Sequence, residues 1–324
     1  MAPGAKPPSR IAVVDIGTNS TRLLVADICD GAIEELERRT NVTRLGDGVD
    51  SSGELAADAI QRVFNTVAAF REAIDRLGTD RVVAVATSAV RDAANGERFR
   101  AELRERFAIE AETISGDEEA RLTFLGATAA RPGRDPMLVI DIGGGSTEFV
   151  IGTPGSTPGF HVSTALGSVR QTERHLADDP PTDGQLAELS QAVQATIEES
   201  VAAELRAQVP AGLAVAGTAT SLAAIAQELD PYDPERVHGY GLDLAACERM
   251  LAMLAALPVA QRREVTGLHP DRATTIVAGV AILVVAMRAF GLATIEVSEA
   301  DILHGAAIDA ARNGPSETPP AATS

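Results

Sequence analysis

The sequence is almost devoid of lysine: Lys6 stands alone beside 27 arginines. The nucleotide-binding loop G-x-x-x-x-G-K-[ST], whose lysine must reach the substrate phosphates, is therefore excluded. Cysteine is nearly as scarce. Cys29 and Cys247 lie far apart in no metal-ligand spacing, which excludes a disulfide framework and a cysteine zinc site and fits a reducing cytoplasm. None of the five histidines, His161, His175, His238, His269 and His304, has the H-E-x-x-H spacing of a metal helix. They read as ordinary polar residues, with His238 in Val-His-Gly-Tyr-Gly the one expected to line a cleft. Positive charge is also short, with a net charge of -18. Nonspecific nucleic-acid binding is excluded, and any polyanionic ligand must meet a local basic pocket. Long apolar runs are missing too. The stretch 276–287 falls short of the ~20 residues that span a bilayer, so it reads as a buried core helix and no membrane partner is expected.

What is present is a duplication. Asp15-Ile-Gly-Thr-Asn-Ser-Thr recurs as Asp141-Ile-Gly-Gly-Gly-Ser-Thr, identical at five of seven positions. Each copy follows a buried-strand run (11–14 and 137–140) and precedes a second apolar run, which spells strand, glycine-rich turn, strand. At 324 residues the chain exceeds the usual limit of one core. Two related α/β domains, each opening with a hairpin whose turn faces a shared cleft, account for both facts. Between and after the copies, helices are expected at 55–77 (stopped by Gly78), 99–107, 117–129 (ended by Pro132 and Gly133), 168–175, 183–208 and 300–311. Strands are expected at 81–87, 108–114, 159–163 and 293–297, and 213–221 reads as a strand entering a small-residue turn.

Phosphate binding needs several converging donors, and glycine lets backbone N–H groups approach because no Cβ intervenes. Gly143, Gly144, Gly145 and Ser146 meet that need, as do Thr18, Asn19 and Ser20 in the first copy and Gly217 and Thr218 in the later turn. A lone Gly-Gly-Gly is as readily a flexible turn; duplication behind a leading aspartate favours binding. An aspartate ending a buried strand beside such a loop either bonds the turn backbone or holds Mg²⁺, which takes few carboxylates plus phosphate oxygens. Asp15 and Asp141 are placed for the second role. Arg91 ends Thr87-Ser-Ala-Val-Arg at a strand's carboxyl edge, where α/β sheets put ligands, and Arg22 is a less well placed candidate of the same kind. Ser115 and Glu118 fit the S-x-x-E capping box. Glu119, ~100° further round the helix, has no capping duty and is the candidate general base. Glu34, Glu35 and Glu37 read as a solvated face.

Asp15-Ile-Gly-Thr-Asn-Ser20, Thr87-Ser-Ala-Val-Arg91-Asp-Ala, Ser115-Gly-Asp-Glu-Glu119-Ala and Asp141-Ile-Gly-Gly-Gly-Ser146-Thr-Glu148 resemble, in order and spacing, the exopolyphosphatase/guanosine pentaphosphate phosphohydrolase family. The likeness continues through Arg272-Ala and Val297-Ser-Glu, so it covers about 10–312. It implies the actin/hexokinase/Hsp70 fold, with duplicated ribonuclease H-like domains around a central cleft. Domain I would comprise 11–128 plus 299–312 and domain II 129–298, with a flexible tail at 1–10 and a disordered one at 313–324. The resemblance further implies Glu119 as the base that activates water and Asp141 and Glu148 as Mg²⁺ ligands. Ser20, Arg91 and the backbone of 143–146 would hold terminal phosphates. Mg²⁺ is the expected cofactor, with Mn²⁺ and a monovalent cation as further candidates.

Two departures stand out. The chain stops where longer relatives add helical domains, which points to short polyphosphates, and the last helix reads Asp301-Ile-Leu-His304-Gly305 where the family often has Arg-Glu-Gly. Inorganic polyphosphate is the expected substrate. Guanosine pentaphosphate, held by the same clamp and base, is the alternative. An ATP-dependent kinase would need an acceptor-site aspartate after the second loop, and none is identifiable. A noncatalytic nucleotide-binding protein would have lost Glu119 or the glycines. The apolar helices of the second half suggest a homodimer.

Overall fold

The computed structural model of the chain describes residues 8–313, apart from 30, 132 and 134. The expectations for 1–7, Pro132 and 314–324 lie outside those residues. Among the described residues, eleven strands form two sheets. The first contains β1 (Ser9–Ile16), β2 (Ser20–Cys29), β3 (Ala32–Val42), β4 (Arg81–Ala86) and β5 (Ala111–Thr113) in the order β3-β2-β1-β4-β5. The second contains β6 (Met137–Ile142), β7 (Thr147–Gly152), β8 (Phe160–Thr164), β9 (Gly212–Val215), β10 (Gly241–Asp243) and β11 (Thr294–Val297), ordered β10-β11-β9-β6-β7-β8. In each sheet three strands run as an antiparallel meander from the repeated loop, and the next two add in parallel. The sequence duplication thus extends to topology, with β10 the one addition.

Local chemistry explains the elements. The helix Ala57–Leu77 buries Val63, Phe64, Val67, Phe70 and Ile74 along one stripe, and Gly78 ends it at φ 67°, donating its N–H to Ile74 O. The helix Ile276–Ala289 is buried all along 276–287, the core helix expected of an apolar stretch too short for a membrane. No described helix is long and apolar enough to cross a bilayer. The expected helix 183–208 breaks instead into Asp183–Ser200 and Ala203–Arg206. Val201 turns extended and drops fully into the core, so tertiary burial overrides helical continuity.

Two helices join the sheets, and they are exchanged. Gly116–Thr128 follows the first sheet yet packs Ala120, Phe124 and Ala127 on Val139, Val150, Leu213 and Val215 of the second. Ile302–Asn313 follows the second sheet and returns Leu303, Ala306, Ala307 and Ala310 to Ile11, Val13, Leu24 and Ala26 of the first. The boundary expected at 128/129 therefore falls after a helix that covers the second sheet. Where the two helices cross, their backbones touch. A Cβ on Gly126 would sit 1.9 Å from Asp301 O, and one on Gly305 1.8 Å from Leu122 O, so only glycine fits either position.

Candidate active site

Both repeated loops hang between the first two strands of their sheets and close with the same hydrogen bond, Gly17 N–H to Ser20 O and Gly143 N–H to Ser146 O, each 3.0 Å. The chain beyond each loop then captures the loop carbonyls. Gly46 N–H bonds Thr18 O, and Thr43 and Arg44 bond Asn19 O; correspondingly, Ser168 bonds Gly143 O, and Val169 and Arg170 bond Gly144 O. With carbonyls turned outward, the N–H groups of 18–19 and 144–146 have no protein acceptor among the described residues. They line a cleft of about 810 Å³ between the sheets. The loops also meet across it. A Cβ on Gly144 would lie 3.0 Å from Thr18 and Asn19, and one on Gly145 2.3 Å from Ser88 Oγ. Such contact between two donor-rich loops makes an anion cradle.

The carboxylates differ in their company. Asp15 accepts Arg22 Nε at 2.8 Å and Nη2 at 2.7 Å through Oδ2, while its Oδ1 is buried without a partner. The other face of Arg22 is held by Asp301. Burial pushes the Asp15 pKa up and Arg22 pulls it back. Asp301 lies far below the usual carboxylate range, because Arg22, His304 and Arg38 outweigh its burial. Asp141, cross-strand partner of Glu148, has only Thr123 Oγ1, at 3.2 Å, on its Oδ2. Burial, then Glu148 and Asp301, raise its pKa to about 8. Glu148 is fully buried behind the cleft wall and accepts Ser163 Oγ at 2.7 Å; burial raises it as well. Glu119 is 9% exposed on the wall, with Oε2 lacking any hydrogen bond and Arg91 Nη1 3.6 Å away. Burial, then Glu148, Asp141 and Asp15, push it well above its ordinary value.

Arg91, expected on phosphate, stands behind Glu119 rather than in the wall, donating to Ile114 O at 3.0 Å. Arg22 lines the cleft but is clamped by two aspartates. The Thr18 hydroxyl serves Ser88 Oγ and Ala89 N–H, leaving its amide for a ligand. Asn19, Ser20, Gly143, Gly144, Gly145 and Ser146 line the cleft, as do Gly217 and Thr218, which open the helix Ala216–Ala226. Ala216 enters that helix at φ 64°, a strained conformation for a non-glycine residue at a strand end beside the site.

Two sequence expectations fail here and a third is half met. His238 is not in the cleft wall, whereas His269 is. His304 is no ordinary surface group, since it is buried and bonds Oε1 of Glu35, which stays exposed on its strand as expected. The capping box is half made: Ser115 Oγ accepts Glu118 N–H, but Glu118 turns its carboxylate to Arg121.

Other groups in or beside the cleft went unassigned. Thr123 sits one turn beyond Glu119, and that i,i+4 spacing was the available signal. Asp301 reaches Arg22 across 279 residues, with no local signal. Arg272 lies so close over Gly217 that a Cβ there would meet Nη1 at 1.4 Å. It lines the cleft, and its guanidinium has no hydrogen bond or ion pair among the described residues. Burial, then Arg22, lower its pKa. A cleft-lining cation without a protein partner fits an anionic ligand.

Metal fit can be judged from the donors. Among the described residues no three His, Cys, Asp or Glu side chains converge as a ready metal cage. Mg²⁺ needs none, since it keeps waters and takes one or two carboxylates plus substrate phosphates. The all-oxygen donor set, Asp15 Oδ1 and Glu119 Oε2 without hydrogen bonds, and acids raised by burial and then by one another fit a cation that arrives with phosphate.

The chain is similar to known proteins in both sequence and fold. The model of the Ppx/GppA phosphatase family matches residues 24–313. Exopolyphosphatase 2 of Mycobacterium tuberculosis is 37% identical over 326 residues, spanning 94% of this chain and 99% of that protein. The crystal structure of an exopolyphosphatase-like protein, 34% identical, superposes with a TM-score of 0.88 over 95% of this chain and 99% of that one. The crystal structure of the Aquifex aeolicus member of the Ppx/GppA family, 28% identical, gives 0.80 over 96% and 100%.

Proposed function

The chain belongs to the Ppx/GppA phosphatase family, and from that premise we propose that it is an exopolyphosphatase, releasing the terminal phosphate of inorganic polyphosphate with a water activated by Glu119. Its fold is α/β, of the actin/hexokinase/Hsp70 class, with two sheets of matching order around a cleft. The observation that carries the activity is Glu119: a buried carboxylate with a raised pKa and an Oε2 that accepts no hydrogen bond, facing two loops of unengaged amides.

In this reading the amides of 18–19 and 144–146 bind the oxygens of the terminal phosphate, and Arg272 offsets the charge of the chain behind it. Glu119 accepts a proton from water as its oxygen attacks phosphorus in line and the bond to the bridging oxygen breaks. Asp141, oriented by Thr123 and backed by Glu148, would hold Mg²⁺ or Mn²⁺ with Asp15 nearby; the ion supplies charge neutralisation at phosphate when bound. Positioning and charge stabilisation provide most of the acceleration in such reactions.

One observation favours a second substrate. Leu229, Tyr232, Pro234, Val265, Leu268 and Ile276 give the cleft an apolar wall, for which a bare phosphate chain has no use. Guanosine pentaphosphate would bury a nucleoside there. The test is phosphate release with Mg²⁺ from short polyphosphate, long polyphosphate, guanosine pentaphosphate and ATP, run beside Glu119→Gln. Activity on guanosine pentaphosphate alone would replace the polyphosphate reading; unchanged activity in Glu119→Gln would end the assignment of the base. The proposal includes a cytoplasmic homodimer, and sedimentation as a monomer at micromolar concentration rejects that part.

A further inference from the structure

Arg170, on the helix Ser168–His175, uses three guanidinium nitrogens on three separate segments. Nε donates to Gly145 O at 3.0 Å, Nη1 to Asp50 Oδ1 at 2.5 Å and Nη2 to Asp92 Oδ2 at 2.7 Å. Gly145 belongs to the second phosphate loop. Asp50 and Asp92 belong to the first-sheet half of the chain, on the short helix Val49–Ser52 and at the end of the helix Ser88–Asp92. Neighbouring contacts follow the same line: Arg174 Nε reaches Asp50 Oδ2 at 2.5 Å, and Glu173 Oε1 accepts Gly48 N–H at 2.9 Å.

An exposed ion pair alone contributes little. Here the side chains of Arg170 and Asp50 are 18% and 20% exposed, and the planar fork holds all its partners in one geometry. Peptide planarity supplies the consequence. Gly145 C=O and Ser146 N–H belong to one rigid unit and point in opposite directions. Gripping the carbonyl from outside the loop therefore aims the amide into the cleft, and the grip is braced by aspartates of the opposite half.

We propose that Arg170 is a positioning residue that aims the Gly145–Ser146 peptide at phosphate when the two halves are closed on each other. The inference rests on the phosphohydrolase reading for its effect on rate, but not for its effect on the loop.

The experiment compares Arg170→Lys, which keeps charge and loses the fork, with Asp50→Asn, which touches no loop atom, and with the pair combined. Phosphate release from polyphosphate gives kcat and KM; hydrogen exchange of the segment 141–150 gives loop order; thermal melting confirms folding. Arg170→Lys should lower kcat by on the order of 10²-fold, the usual effect of slight misplacement. Asp50→Asn should lower it about tenfold, and the double variant should fall no further than Arg170→Lys, because coupled residues are non-additive. Exchange at 143–146 should quicken in all three variants. Wild-type kcat and wild-type exchange in Asp50→Asn, or additive losses in the pair, would overturn the proposal. Should the wild type release no phosphate, the functional reading fails, and the exchange comparison still decides the role of Arg170.

Discussion

The two repeated loops share a hairpin bond and a way of turning their carbonyls outward, yet their aspartates live differently. Asp15 is neutralised within the protein by Arg22, which Asp301 holds from the other side. Asp141 receives one hydroxyl and faces Glu148 and Glu119, with no arginine bonded to it among the described residues. Duplication supplied two similar cradles, and the surrounding charges divided them. The first aspartate has an arginine on Oδ2 and only its Oδ1 unpartnered; the second is left among acidic neighbours.

The sharpest way to break that comparison is at the acid between the loops. Glu119→Gln should reduce phosphate release ~10²- to 10⁴-fold, the usual loss for a general base, with substrate affinity largely kept in a binding assay. Next, Asp141→Asn should raise the Mg²⁺ concentration giving half-maximal rate by roughly 10- to 100-fold. Asp15→Asn should leave that titration nearly in place and show its damage in stability, since it strips Arg22 of a buried partner. Equal shifts in both titrations would erase the division between the loops. A smaller effect is expected where both halves share one contact: Gly305→Val should destabilise the fold by about 1–3 kcal/mol in denaturant titration, because overpacking pries the crossed helices apart. Smallest is a pH slope. A carboxyl raised in the folded state contributes stability fully below its unfolded pKa, and that contribution is lost as pH rises through the folded value. With Asp141 at about 8 and Glu119 and Glu148 also raised, the metal-free melting temperature should fall from mildly acidic to mildly alkaline pH. Saturating Mg²⁺ should flatten the slope.

Much of this was legible in the sequence, for a physical reason. Strand, glycine turn and strand are local, so 15–21 and 141–147 announce both hairpins, and the freedom of Glu119 from capping follows from helix geometry. What escaped depends on groups brought together by the fold. Asp301 and Arg22, His304 and Glu35, and Arg272 and Gly217 are distant in sequence, and no periodicity links them. Arg91 was placed on the right strand end, but its direction, toward Glu119 and away from the wall, is set by Ile114. The break at Val201 likewise belongs to the core it enters.

The exchanged helices bear on how the protein is made. The inner face of the first sheet, with Ile11, Val13, Leu24 and Ala26, is covered by Ile302–Asn313, a helix synthesised long after those strands. About 185 residues separate the end of Gly116–Thr128 from the end of that cover, roughly 10–40 s of translation at usual rates. Throughout that interval the ribosome carries a nascent chain with one sheet half-clothed, so a sheet made early waits on a helix made late.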